Sequence, residues 1–530
     1  MSAAATPSRL SVAIIVRDAE EALGETLESV RSIADEIVVV DTGSTDDSRK
    51  VAERAGAQVF VHPWQDDFSA ARNLCLSHVQ GQWLLWLDAG ERLSKEDASQ
   101  LRSFVSTSAD NTKAYAMVIQ VPPRAPQQAS EQIARIRLVP NRPGIRFAGR
   151  VRESMTQSLV AEGMEIEGLP YRIARGPGEH DVHQKAAKAR RNVRLADLEI
   201  KEQGPQPHLL NCLGDAFQTL NDLDRCTQFF RHAVQGAERG SVDMLEAYYG
   251  LLTSLDSDEK NREEQLQLAV QASEVFPLDA QLLCAMGGYL QALGCTDLAE
   301  KSYHTAFHYG QINAEVWHVA EVRDIAVICL SITLQLQSKL DLARQALEAA
   351  VAENEGSVRL RRHLIEVYIK CGLRDEALEQ VSALPRDTPR REALRSAVRG
   401  ACLGVQQNWI AARAYLKTAF TAGCQETFCL RWFVISLLSC GEVDEARAVL
   451  LQWRTLEPQS DEVAKYLASL DQQSSDQTQP DSQIVAPEDT TLERRQWRID
   501  APIESPKKVA PPTSTTAATN QVRGNSPGRS

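Results

Sequence analysis

Residues 36–48 read EIVVVDTGSTDDS, a short apolar run that stops at an aspartate and then at small polar residues. A β-branched run of this kind, closed by turn-forming residues, is the pattern of a strand buried on both faces. The same pattern recurs on either side of it. Upstream lie a strand at Ser11–Val16 and a helix at Ala19–Ile33 whose apolar residues recur on one face. Downstream lie a helix at Ser44–Ala55, a strand at Gln58–Val61, a helix at Asp67–Val79 and a strand at Trp83–Leu87 that ends in DAGE. Strands alternating with helices of this length predict parallel pairing through right-handed crossovers, hence an α/β domain with a mostly parallel, doubly wound sheet.

That topology places the chemistry. Ligands of open α/β sheets bind beyond the carboxyl ends of the strands. Two polar clusters stand at such ends: Asp41-Thr42-Gly43-Ser44 and Asp88-Ala89-Gly90-Glu91. Three further strand-like pieces, at 113–121, 132–140 and 144–154, are expected to complete the sheet and wall one side of the site.

Beyond Glu179 the pattern becomes helical and repetitive to about residue 470. A small residue at Ala343, Ala377, Ala412 and Ala446 recurs every 34 or 35 residues, the period of tetratricopeptide (TPR) repeats. Cys226 and Ala299 occupy the same place in earlier units, with a degenerate unit around residues 246–275 and an insertion near INAEVWHVAEVRD (312–324). Gly214, Gly287 and Gly400 precede their small partners by a constant interval, where helices must pack closely. Such hairpins cannot bury their apolar faces alone, so they stack into a solenoid of about seven units. The expected organisation is an α/β domain over 9–200, the repeats over 205–470 and a Ser-, Thr-, Gln- and Pro-rich disordered tail over 471–530.

Composition bounds the function. The net charge of −13 over 530 residues argues against a general nucleic-acid binder. No stretch approaches the roughly 20 apolar residues of a membrane span, and Val12–Val16 is too short for a signal-peptide core. Eleven cysteines without paired spacing fit small buried side chains in a reducing, cytoplasmic setting.

Residues 41–48 carry neither the G-x-x-x-x-G-K-[ST] nor the G-x-G-x-x-G pattern. Asp41 either accepts hydrogen bonds from a base or ribose or, with Ser44, caps the next helix. Asp88 and Glu91 are candidate oxygen ligands for a hard divalent cation. His180 and His183 form H-x-x-H without a third ligand and read as solvated; His304 and His308 read as facing the groove of the repeats. The basic run 185–195 (KAAKARRNVRL) is either an exposed helix face or a contact for phosphate or a partner.

Taken together, the stretches 13–30, 34–48, 64–73 (WQDDFSAARN), 83–93 and 141–154 resemble family 2 glycosyltransferases of the GT-A fold, in the bacterial branch fused to TPR repeats. The resemblance implies a nucleoside diphosphate-sugar donor and a divalent metal, Mn or Mg. It implies that Asp41 reads the base, with Thr42, Gly43, Ser44 and Asp46 shaping the loop, and that Asp67, Arg72 and Asn73 line the nucleotide. Asp88 matches the first acid of the family's D-x-D, and Glu153 matches a candidate base for the acceptor hydroxyl. Gly90 stands where the family has the second acid, so Glu91 or a water is expected to serve the metal. Arg152 stands where the family has a His, and Arg92 or Arg152 is expected to supply charge to the phosphates. Two readings follow: a transferase acting on a protein or glycan acceptor, with the repeats binding acceptor or partner, or a weakened transferase domain serving a TPR scaffold.

Overall fold

The computed structural model describes residues 9–123, 129–176, 181–385, 390–457 and 460–475. The tail from 476 on, and His180, lie outside the described residues.

The first half follows the expected alternation: β1 (Leu10–Val16), α1 (Glu20–Val30), β2 (Glu36–Asp41), α2 (Ser48–Arg54), β3 (Gln58–Val61), α3 (Phe68–His78) and β4 (Trp83–Trp86). Strands β3, β2, β1 and β4 lie side by side in that order and all are parallel. Then come β5 (Glu91–Leu93), α4 (Lys95–Thr107), β6 (Lys113–Val121), β7 (Glu131–Pro140), α5 (Thr156–Ala161) and β8 (Glu165–Arg175). β7 joins β4 antiparallel, and β6, β8 and β5 follow outward. Alternate residues of β1 explain the double layer. Leu10, Val12, Ile14 and Val16 face α1, α2 and α4, whereas Ala13 faces a second core with Cys75 of α3, Trp86 and Phe147.

Two local expectations are corrected. α2 begins at Ser48 rather than Ser44, because residues 44 and 45 are spent in loop hydrogen bonds to Asp41 and Asp18. Residues 144–154 form no strand. Ala148 pairs with Ser154 alone, and the chain turns through left-handed φ angles of 101° at Gly149 and 53° at Arg152. The strands that instead complete the sheet are β8 and the three-residue β5.

A long bridging helix, α6 (Val182–Gln203), leads into the repeats. Seven helical hairpins follow among the described residues. They are α7 (Pro207–Thr219) with α8 (Leu223–Gly236), α9 (Val242–Ser254) with α10 (Arg262–Ser273) and α11 (Ala280–Ala292) with α12 (Thr296–Tyr309). Next come α13 (Val322–Leu336) with α14 (Leu340–Glu353), α15 (Val358–Lys370) with α16 (Arg374–Ala383) and α17 (Arg391–Val405) with α18 (Trp409–Thr421). The last pair is α19 (Thr427–Ser439) with α20 (Val443–Leu456), and α21 (Asp461–Ser475) caps the stack. The glycines mark close contacts: a Cβ on Gly214 would stand 2.6 Å from the Phe230 ring, and one on Gly400 would stand 2.6 Å from Leu416. No helix among the described residues is long and apolar enough to cross a membrane.

The insertion before α13 has a definite place. Its β9 (His318–Val319) pairs antiparallel with the Glu131–Gln132 end of β7, so a repeat unit adds a strand to the sheet. The amide of Ala134 donates to the Ala314 carbonyl at 2.6 Å and that of Ala320 to the Ser130 carbonyl at 2.9 Å. Trp317 packs on the sheet core, with the Arg175 guanidinium 5.8 Å from its ring.

Candidate active site

The end of β2 is built around Asp41, which is fully buried. One carboxylate oxygen accepts from the Ser44 amide at 2.9 Å and the other from Arg49 Nε at 2.5 Å. Burial pushes its pKa up, but the hydrogen bonds from Ser44 and Arg49 outweigh it and hold the carboxyl below its ordinary value. Thr42 is buried and donates through its hydroxyl to the Val16 carbonyl at 3.1 Å, tying the loop to β1. Gly43 takes φ 106°, a conformation that favours glycine. Asp46 accepts from the amide and hydroxyl of Ser48 at 3.0 and 2.6 Å and from the Glu20 amide at 3.1 Å, fastening the loop to the start of α1.

Asp88 follows β4, two strands away on the same sheet edge. Its Oδ1 lies 3.0 Å from Arg72 Nη2 and accepts from Trp86 Nε1 at 3.1 Å, and its Oδ2 accepts from Arg137 Nη2 at 3.2 Å. Burial raises its pKa, yet Arg72 and Arg137 prevail and hold the carboxyl well below the ordinary range. Arg72, on α3, is 8% exposed and lies over Trp86 and Phe147 at 4.5 and 5.1 Å. Its Nε stands 2.5 Å from Glu153 Oε1, so one guanidinium joins the β4 acid to the candidate base. Glu91 is 1% exposed. Its Oε1 accepts from Arg137 at 2.7 Å and Arg175 at 3.4 Å, and its Oε2 accepts from the Asp88 amide at 3.1 Å.

These residues do not fit a divalent cation. A hard cation takes several oxygens from separate groups. Here Gly90 offers no carboxylate, Glu91 is buried with both oxygens engaged, and each Asp88 oxygen already meets a guanidinium. No group of three His, Cys, Asp or Glu side chains is arranged to hold a metal among the described residues. Glu91 stands as the counter-ion of Arg137.

Other expected residues have structural employment. Asp67 caps α3, accepting from the Ala70 amide at 3.0 Å. Asn73 clamps the Phe147 backbone, donating to its carbonyl at 2.9 Å and accepting from its amide at 2.8 Å. Arg152 points away from the site to Glu246 of α9 at 2.8 Å and to Asp215 of α7, and Arg92 pairs with Glu25 at 3.0 Å. His183, His304 and His308 are exposed. Two residues went unread in the sequence. Arg137, buried in β7, carried a signal as a charge inside an apolar strand run. His62, just after β3, has a buried Nε2 without a partner among the described residues, and its amide donates to the Asp41 carbonyl at 2.8 Å.

The profile of a family described as glycosyl transferase family 2 matches residues 11–146, and that of a tetratricopeptide repeat matches 334–399. A TPR repeat-containing protein of Synechococcus elongatus is 32% identical over 286 residues, covering 52% of this chain and 68% of that protein. An uncharacterized glycosyltransferase of Rickettsia felis is 35% identical over 124 residues, covering 23% of this chain and 42% of that one. A crystal structure of glucosyl-3-phosphoglycerate synthase from Mycobacterium tuberculosis, in complex with Mn2+, UDP and glucosyl-3-phosphoglycerate, aligns over 22% of this chain and 45% of that chain, at 19% identity and a TM-score of 0.19.

Proposed function

We propose that this chain, which belongs to glycosyl transferase family 2 and continues into tetratricopeptide repeats, moves a sugar from a nucleoside diphosphate donor, with uridine as the base, to a hydroxyl of a protein or glycan. The repeats bind that acceptor or a partner protein. The observation that carries the reading is the pair of strand-end acids, Asp41 and Asp88, on one sheet edge with Arg72 linking the second to Glu153. In this reading the Asp41 carboxylate fixes the Ser44 and Arg49 side of the loop on which the base lies, with His62 one strand away. Glu153 takes the proton of the acceptor hydroxyl as its oxygen attacks the anomeric carbon. The bond from that carbon to the diphosphate breaks, and the electron pair leaves with the diphosphate, which needs nearby positive charge. A cytoplasmic setting suits the eleven cysteines, all of them unpaired.

Calorimetric titration of UDP and UDP-sugars into the full chain tests this, beside Asp41→Ala. Binding by the wild type, weakened at least about tenfold by the substitution, is the expected outcome. A folded wild type that binds no nucleoside diphosphate would leave the scaffold reading, which the saturation of Asp88 and Glu91 by arginines favours.

A further inference from the structure

We propose that the donor's diphosphate is held by guanidinium groups instead of a divalent metal, with Arg191 of α6 as the principal cation and Arg17, just after β1, beside it. This rests on the donor-site reading above and specifies how that site neutralises the leaving group.

The sheet order gives the path. β1 lies between β2 and β4, so a ligand reaching from Asp41 to Asp88 spans two strand spacings, roughly 10 Å, and crosses the end of β1. Arg17 stands there, 54% exposed, and among the described residues its one ion pair is with its neighbour Asp18 at 3.7 Å.

The acids of the site already have their arginines: Asp88 and Glu153 meet Arg72, and Glu91 meets Arg137 and Arg175. Arg191 is a cation left over. It lies over the Phe68 ring at 4.8 Å, and its hydrogen bonds run to Asn192 Oδ1 at 3.4 and 3.2 Å. No carboxylate lies within ion-pair distance of it among the described residues, whereas Arg194, one turn on, is paired with Asp66. The Phe68 ring beneath it lies one turn before Arg72 on α3, and burial holds the Arg191 pKa down, with Glu153 opposing and Arg17 adding to the depression. A half-buried cation without a carboxylate partner gains from an incoming anion. Arg72 adds a second signal: its Nη1 is buried without a partner among the described residues. Arginine forks match phosphate oxygens in pairs, so Arg17 and Arg191 offer the right chemistry for a diphosphate that crosses the end of β1.

The test is calorimetric titration of UDP, GDP, dTDP and uridine into the full chain, once with EDTA and once with Mn2+. The proteins are wild type, Arg191→Ala, Arg191→Lys and Arg17→Ala, each checked for unchanged circular dichroism and melting. The expected result is diphosphate binding in EDTA within about threefold of that in Mn2+. Arg191→Ala then weakens UDP at least about tenfold, Arg191→Lys less, and uridine is unaffected. Binding that requires Mn2+, or folded Arg191→Ala and Arg17→Ala proteins that bind UDP like the wild type, would overturn this inference and leave the donor site standing. Absence of diphosphate binding in both conditions would overturn the donor-site reading and this one with it.

Discussion

Replacing Arg152 with alanine removes a guanidinium that reaches Glu246 at 2.8 Å and also meets Asp215, and so cuts a link between the α/β domain and two repeat helices. The side chains of Arg152 and Glu246 are 26% and 17% exposed, that of Asp215 48%. An exposed pair contributes about 0.2–1 kcal/mol, and breaking a buried one costs about 3–5 kcal/mol. The Glu246 contact lies between these limits, at about 2 kcal/mol, and Asp215 adds about 0.5 kcal/mol at most. Backbone conformation sharpens the prediction. Arg152 sits at φ 53°, where any residue but glycine is strained by about 1 kcal/mol. Arg152→Gly is therefore expected to lose about 1 kcal/mol less than Arg152→Ala, although both lose the same ion pairs.

Urea denaturation followed by tryptophan fluorescence reads this directly. A double-mutant cycle with Glu246→Gln isolates the contact, with an expected coupling of at least about 1 kcal/mol. Strict additivity of Arg152→Ala and Glu246→Gln, or a loss below about 0.5 kcal/mol for Arg152→Ala, would refute the reasoning.

Further outcomes follow from the packing and charges. Trp317→Ala strips the strap of its anchor on the sheet core; a loss of about 3 kcal/mol is expected, read as a lower denaturation midpoint and faster proteolysis between 311 and 321. Gly400→Ala sets a Cβ 2.6 Å from Leu416 and is expected to cost about 1–3 kcal/mol by overpacking; combining it with Leu416→Ala should cost less than the sum of the two alone. The His363 pKa is pushed down to about 4 by burial and by Arg359 and Arg362. Its folded value lies below its unfolded one, so stability is full above pH 6.5 and falls as pH drops toward 4; His363→Gln should flatten that slope in melting experiments.

Much of the fold was legible because periodicity reports burial. Val38, Val39 and Val40 are each fully buried, as a strand covered on both faces requires, and Cys226, Ala299, Ala343, Ala377, Ala412 and Ala446 are likewise fully buried. The degenerate unit resisted reading for a physical reason. Gln265 of α10 fills the place of the small residue, fully buried, and its amide nitrogen donates to the Leu252 carbonyl at 3.0 Å and to Asp256 at 2.7 Å. A hydrogen-bond network there replaces the close contact of two small side chains, so the pattern of small residues lapses although the hairpin persists. β5 was missed because three residues are too few to show a period.

In the site, the sequence pattern did not reveal structural tasks. Asp67 caps a helix and Asn73 clamps a backbone, tasks that a motif does not distinguish from ligand contact. Two irregularities that read separately in the sequence have one physical cause. The arginine at 152 reaches across to acids of α7 and α9, and the extra residues before α13 supply the strand and the tryptophan that dock on β7 and the sheet core. Both fasten the repeats to the α/β domain. Arg152 is the neighbour in sequence of Glu153, which pairs with Arg72, which pairs with Asp88. Glu153 therefore stands between the interdomain contact of its neighbour and the strand-end acid, and a shift of Arg72 would take away its cation while Asp88 kept Arg137.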